Sequence, residues 1–342
     1  MASLNLGNIS ELFAKLHVLL KKPIPTITPD FNFASDRSIT FECLRVTAGG
    51  TTTLVECGIP YEKDRDQLEL AYRKLKNYLL NHKSVEMPDS DIFRTLEKAG
   101  LALAGSSTNV DMHGVLRTID GPAELGYSIK SFVGGHPTVF NANGKQTNFR
   151  IRASGYSPSG IDQTNRALST RKTWKSRLAL LEDLGLELHA GSETGEDLKK
   201  SLEMFGKDFP SVIASLLLIR GTQGITKISE CVEEYCLKTG ASKVHVEYAV
   251  KAFLRAIALG MRSTGVWDGN VSTYGGFLIV DKNAELSNIG IQNDDLFRDY
   301  LYMHSYFDSP TYSRHKFGFL LQDESGLAID LALQIRMDAN PK

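Results

Sequence analysis

Residues 111–149 read DMHGVLRTIDGPAELGYSIKSFVGGHPTVFNANGKQTNF, and the reading of this stretch decides the fold. An aspartate opens an alternating segment, Gly121 and Pro122 mark a turn, and a second segment carries Ser128, Ile129 and Lys130. That pattern predicts a β-hairpin, because Gly-Pro interrupts a strand while the flanks keep a period of two. A hairpin centred near Gly121 and Pro122 sets Asp111 opposite residue 132 or 133, with Asp111 and Lys130 near the same end of the pair. The residues that follow are rich in Gly, Asn and Thr and contain no acid before 150. A carboxylate and a lysine on rigid strands beside such a loop can hold Mg²⁺ and a phosphate group.

Outward from the hairpin the chain reads as mixed α and β. Towards the N-terminus, Ile9, Leu12, Phe13, Leu16, Leu19 and Leu20 repeat at helical spacing until Lys-Lys-Pro ends the run. Residues 38–57 predict a strand pair turning at Ala48-Gly49-Gly50, followed by helices over 65–82 and 89–100. Beyond the hairpin, a short strand is expected at 149–151 and a mostly helical stretch from 162 to 262. Strands are expected again at 275–281, 316–322 and 327–336, with a helix near 292–304. The expected division is a core over 1–190 and a recognition region over 191–342, separated at GSETGED (191–197) or else at the SKV junction (242–244), unless the whole is a single domain.

Composition narrows the class. The chain has 342 residues, 42% hydrophobic and 23% charged, with a formal net charge of −1, as in a globular protein with a proper core. The four cysteines (43, 57, 231, 236) show no zinc-ligand spacing, which fits a reduced, cytoplasmic protein. The longest apolar run, VIASLLLI (212–219), is too short to cross a bilayer, and no membrane partner is expected. Local charge is uneven: residues 130–177 hold nine Lys or Arg against one acid, and residues 178–239 hold eleven acids against six bases. A basic belt beside a phosphate-binding hairpin predicts a nucleic-acid partner, although a solvated helix face would give the same count.

Several segments recur in a recognisable order. They are Asp111-Met112, Ser128-Ile129-Lys130-Ser131, Thr138-Val139-Phe140-Asn141-Ala142 and Thr147-Asn148-Phe149 in the central block. Towards the ends come GNISELFAKLHVLLK from residue 7, WDG (267–269), GGFLIV (275–280), FDSPTYSRHKFG (307–318) and LALQIR (331–336). Together they resemble the HpaII-type family of type II restriction endonucleases over almost the whole chain. The resemblance implies an α/β (α+β) protein with a PD-(D/E)xK-like core, a mixed sheet flanked by helices, and further C-terminal α/β material for recognition. It also implies Mg²⁺-dependent hydrolysis of double-stranded DNA at a short CG-containing palindrome such as CCGG, leaving 5′-phosphate ends. A homodimer is left open, and a cytosine methyltransferase is the expected functional counterpart in a restriction-modification system.

Within that frame each residue has a chemical role and a plainer alternative. Asp111 is the expected Mg²⁺ ligand, since Mg²⁺ takes carboxylate oxygens and waters; Asp120, in the turn, is its rival, and aspartate there also suits the turn itself. Lys130 would stabilise charge on the phosphate or help deprotonate the attacking water. Ser128 stands where the wider PD-(D/E)xK pattern has an acid, so a second carboxylate must come from elsewhere, and Glu11 is the candidate. Glu11 also fits an Asn8-x-x-Glu11 capping box and an i,i+4 pair with Lys15. The Ile129 carbonyl completes the expected metal ligands. Asn141, Lys145, Gln146, Thr147, Asn148 and Arg150 are expected DNA contacts, as are Arg314, which can read guanine, and His315. Trp267 and the pair Gly275-Gly276 read as structural. Two other readings stay open: a catalytically inactive DNA-binding relative, and a repair nuclease that acts on DNA structure.

Overall fold

The computed structural model describes residues 5–48, 51–58, 64–81, 90–103, 110–118, 121–155, 160–310 and 318–338. Two compact units emerge, Met1–Pro137 with Val271–Phe297, and Thr138–Asn270 with Arg298–Lys342. The division expected at 190/191 therefore falls inside the second unit, because the strand that begins at Asn148 pairs with the strand Gly326–Ala332. The first unit opens with α1 (Leu6–Leu19), β1 (Ile24–Ile27), β2 (Phe33–Ile39), β3 (Cys43–Ala48), β4 (Thr51–Glu56), α2 (Arg65–Leu80), α3 (Ser90–Lys98), β5 (Met112–Thr118) and β6 (Gly121–Ser131). The second then runs through β7 (Thr138–Phe140), β8 (Asn148–Gly155), α4 (Ile161–Ser169), α5 (Trp174–Asp183), β9 (Leu186–Ala190), α6 (Glu196–Glu203), α7 (Phe209–Gln223), α8 (Ile228–Thr239) and α9 (Lys243–Leu259). The chain returns to the first unit for β10 (Gly276–Val280) and β11 (Leu286–Ile289), and α10 (Asp294–His304) leads on to β12 (Ser305–Phe307), β13 (Leu320–Asp323), β14 (Gly326–Ala332) and β15 (Ile335–Met337).

The first unit is built on an 8-stranded mixed sheet in the order β2-β1-β11-β10-β6-β5-β3-β4. Two neighbour pairs are parallel, β1 with β11 and β10 with β6, and the rest are antiparallel. The helix α1 starts where Asn5 accepts a hydrogen bond from the Asn8 amide, satisfying one of the donors that a helix start leaves without a partner. Ile9, Leu12, Phe13 and Leu16 then bury against Tyr127, Leu278, Val280 and Met112, the side chains that β6, β10 and β5 present to one face of the sheet. Gly275 is needed just before β10, since a Cβ there would lie 2.3 Å from the Tyr127 ring. Gly276 follows at φ +92, so both glycines do serve the entry to the strand.

The central hairpin forms, in a different register from the one expected. Thr118 pairs with Gly121 and Met112 with Tyr127, so the connection is the dipeptide 119–120, outside the described residues, and Asp111 falls opposite Ser128 and not residue 132 or 133. Gly121, the first residue of β6, carries a positive φ (+113), and Pro122 is already in the strand. β9 and β11, which a helical and a strand-poor reading had missed, are four or five residues long, too short to show a period. The second unit contains a 4-stranded antiparallel sheet, β13-β14-β8-β9, and a 3-stranded one, β12-β15-β7, with α4 to α9 around them.

Burial in the first unit makes stability depend on pH. His17 lies in the core side of α1, with Nδ1 3.0 Å from the Tyr72 hydroxyl and Nε2 3.3 Å from the Pro23 carbonyl. Loss of hydration pushes it down to about 4, against the weaker upward pull of the Pro23 carbonyl. An unfolded histidine takes its proton near 6.5, so between these values the unfolded chain binds more protons and the folded state loses stability as the pH drops. Urea unfolding midpoints should fall between about pH 6.5 and about pH 4 in the native protein, and His17→Gln should flatten that part of the slope. Equal slopes in the two proteins would remove His17 from the account.

Candidate active site

The hairpin ends by placing one carboxylate against the neighbouring strand. The β5–β6 ladder closes with the Asp111 amide donating to the Tyr127 carbonyl at 2.9 Å. Where the next residue of β5 would offer a carbonyl, Asp111 offers its side chain: Oδ2 accepts from the Ile129 amide at 2.6 Å and from the Ser128 hydroxyl at 3.0 Å. Serine at this position thus acts as a donor that orients the carboxylate, and an acid in its place would face Asp111 with like charge. No described donor reaches Asp111 Oδ1.

Strand alternation sorts the remaining groups. Ser128 and Lys130 pair with Phe277 and Ile279 of β10 and share their face, on which Phe277 packs against Phe297. The Lys130 ammonium lies over the Phe277 ring, 5.2 Å from its centroid. Burial holds Lys130 below the ordinary lysine range, and Asp111 pulls it the other way. The N–H and C=O of one strand residue point to the same side. Since the Ile129 amide reaches Asp111, its carbonyl projects along that flank too, past the end of β5. One carboxylate oxygen and one carbonyl are hard donors of the kind Mg²⁺ accepts, and such a cation commonly fills its shell with waters and substrate phosphate. Among the described residues no group of three or more His, Cys, Asp or Glu side chains is placed to hold a metal. The pair of oxygens fits a weakly anchored Mg²⁺ completed by substrate, not a closed cage.

Glu11 is placed elsewhere. It sits inside α1, not at a capping position, since Asn5 is the cap. Its carboxylate accepts from Lys15 Nζ at 2.6 Å, and the same ammonium donates to the Ala102 carbonyl at 2.6 Å. Ser10 meets Ser131 side chain to side chain at 2.7 Å, which docks α1 on the face of β6 opposite Ser128 and Lys130. The structure therefore brings together Asp111, Ser128, Ile129 and Lys130, and sets Glu11 on the far face. Asp120, Arg314 and His315 lie outside the described residues.

The expected DNA-contact residues fall in the second unit and divide in two. Asn141 and Lys145 are exposed, and Gln146 is half-buried in a single 3₁₀ turn over Gly144–Gln146. Thr147 and Asn148 are buried; the Thr147 hydroxyl accepts from the Asn143 amide and its carbonyl from the Leu333 amide, so Thr147 shapes the loop from inside. Arg150 is committed to carboxylates, with Nε 2.9 Å from Asp330 and Nη1 2.8 Å from Asp323. Arg152 likewise binds Asp323 and Glu193. These contacts hold both guanidiniums above, and Asp323 below, their ordinary ranges. Two of the nine cations of the basic belt, Arg150 and Arg152, are thus neutralised by acids distant in sequence, Asp323 and Asp330 on strands and Glu193 in a loop. Asp330, inside the LAIDLAL alternation, was the one partner a strand reading could have offered, as the polar residue of an apolar strand. Trp267 is half-buried and stacks on Phe205 at 5.7 Å, in keeping with a structural role.

The sequence matches the family described as HpaII restriction endonuclease over residues 38–337. It is 30% identical over 289 residues to the type II restriction enzyme HpaII of Haemophilus parainfluenzae, covering 81% of this chain and 78% of that protein. No solved structure matches it.

Asp330 and Lys145 should separate stability from binding. Removing the cross-strand partner in Asp330→Ala leaves the half-exposed Arg150 short of an acceptor, and should lower stability by about 1–2 kcal/mol in urea unfolding. Lys145→Ala should leave the unfolding midpoint unchanged. A stable Asp330→Ala protein would show that the pair contributes nothing.

Proposed function

This chain belongs to the HpaII restriction endonuclease family and is a type II site-specific deoxyribonuclease, and on that premise we propose how its site works. The reading is Mg²⁺-dependent hydrolysis of both strands of DNA at a short CG-containing palindrome such as CCGG, giving 5′-phosphate and 3′-hydroxyl ends. The observation that carries it is the Asp111 carboxylate locked against Ser128 and Ile129 with Lys130 next along the strand. The relative in Haemophilus parainfluenzae supports the restriction class. A cytoplasmic protein paired functionally with a cytosine methyltransferase follows from that class. No helix among the described residues is long and apolar enough to cross a membrane.

Asp111 and the Ile129 carbonyl would hold Mg²⁺, which when bound supplies Lewis-acid activation of water and neutralises phosphate charge. The hydrogen bonds from Ser128 and the Ile129 amide keep the carboxylate from rotating, so its ligand oxygen is positioned before DNA arrives. Lys130, only partly hydrated, meets the charge that develops on the phosphate oxygens, where a preorganised cation counts for more than it does in water. Alternatively, in its neutral form, which its lowered proton affinity favours, it takes the proton of the attacking water. Glu11 is assigned here to its ion pair with Lys15, not to the metal. Asn141, Lys145 and Gln146 are proposed DNA contacts.

Plasmid digested with and without Mg²⁺ should give discrete bands only with the metal. No cutting in either case would mean an inactive DNA-binding relative, and nicking that follows DNA structure would mean a repair nuclease. Lys130→Ala should slow cleavage by about 10² or more while specific binding persists, and Asp111→Asn should abolish cleavage. Glu11→Gln should leave the Mg²⁺ requirement where it is; a higher requirement would bring Glu11 back into the ligand set.

Binding isotherms over a range of salt test the DNA contacts separately. Binding should weaken steeply with salt, as counterions are released from the phosphates. Lys145→Ala should weaken cognate and scrambled duplexes alike and flatten the logarithmic salt slope by about one. An unchanged slope would place Lys145 off the DNA.

A further inference from the structure

The face of the first unit's sheet that carries Ser128 and Lys130 also carries His113. On β5, Met112 turns towards α1, so Asp111 and His113, one residue to either side of it, turn the other way. His113 is half-buried, and its partner across the ladder is Gly126, which has no side chain to cover the ring. Further along the face, Arg45 of β3 and Glu124 of β6 reach each other over β5 through contacts of 2.6 and 2.8 Å. Glu124 stands opposite Val115, and Arg45 follows Leu44, which stands opposite Gly114. That ion pair therefore closes off the imidazole on the side away from Asp111 and leaves the side towards Asp111 open. His17, His189 and His304 each bond to another group of the protein. Among the described residues neither ring nitrogen of His113 has such a partner.

Resting on the reading of Asp111 and Lys130 as the nuclease site, we propose that His113 contacts the substrate beside them. A ring N–H donates to a non-bridging oxygen of the backbone phosphate next to the scissile one. Two residues of strand put His113 roughly 7 Å from Asp111, comparable with the step from one phosphate to the next along a DNA strand. An imidazole keeps at least one N–H in either protonation state, so the contact does not depend on the charge of the ring. Donors to phosphate oxygens fix the register of a duplex without reading its sequence. Here the cut strand would be held at a second point, which keeps the scissile phosphate from sliding past Asp111 and Lys130. Glu124 does not oppose this, because its carboxylate is taken up by Arg45.

Single-turnover cleavage of an oligonucleotide duplex carrying the site that the enzyme cuts in plasmid tests the contact. His113→Ala and His113→Phe, which keeps a ring without an N–H, should each slow it about tenfold or more. A neutral methylphosphonate in place of the phosphate on one or the other side of the scissile one should slow the native enzyme at one of the two positions. At that position the variants should lose nothing further, because the acceptor of the deleted hydrogen bond is already gone. Losses that multiply at both positions overturn the proposal, and so does a His113→Phe enzyme as fast as the native one, since a ring that only fills space would behave in that way. Urea unfolding checks each variant, and His113→Phe carries the same comparison if His113→Ala does not fold. Asp111→Asn and Lys130→Ala on the same duplex show which reading fails. Normal cleavage by both removes the site itself, whereas their loss of cleavage beside an unaffected His113→Phe removes only the histidine contact.

Discussion

The Asp111 carboxylate takes over a backbone role at the end of β5, and the site depends on that substitution. A strand that stops leaves its neighbour with an amide lacking an acceptor; here the Ile129 amide is that group, and the Asp111 side chain receives it. The carboxylate therefore cannot swing away without leaving a half-buried N–H unsatisfied, at a cost of about 1–3 kcal/mol. Ser128 adds a second donor to the same oxygen. The geometry of the candidate site and the termination of the strand are in this way the same set of hydrogen bonds.

From that point the sheet separates two environments. One face is sealed by α1, with Ile9, Leu12, Phe13 and Leu16 packed on Tyr127, Leu278 and Val280, and it is here that Glu11 and Lys15 form their pair. The opposite face carries Lys130 over an aromatic ring and near Asp111. Keeping an ammonium beside apolar side chains is unfavourable in itself, which is why its proton affinity drops. The attraction to Asp111 offsets part of that and ties the two groups electrostatically. The second unit applies the opposite strategy to its own charges. Arg150 and Arg152 are neutralised in a network with Asp323, Asp330 and Glu193, while Lys145 stays at the surface.

Much of this was legible in the order of residues. The helical period from Ile9 to Leu20, the alternation on either side of the 119–122 turn, and the Ser-Ile-Lys-Ser segment determined a mixed α/β fold, the central hairpin and the pair Asp111 and Lys130, because periodicity and turn chemistry are local properties. The family resemblance was carried by the same short segments. Three things were decided only by tertiary structure. The hairpin register depended on which dipeptide makes the reversal, and a shift of two residues in the turn moved Asp111 from the level of residue 132 or 133 to that of Ser128. The face on which Glu11 lies depended on α1 docking through Ser10 and Ser131, residues 121 positions apart. The state of Arg150 within the basic belt depended on Asp323 and Asp330, which reach it only after β13, β14 and β8 align. Side-chain type along a chain sets what each group can do; which partner neutralises or orients it is set by pairings between distant strands.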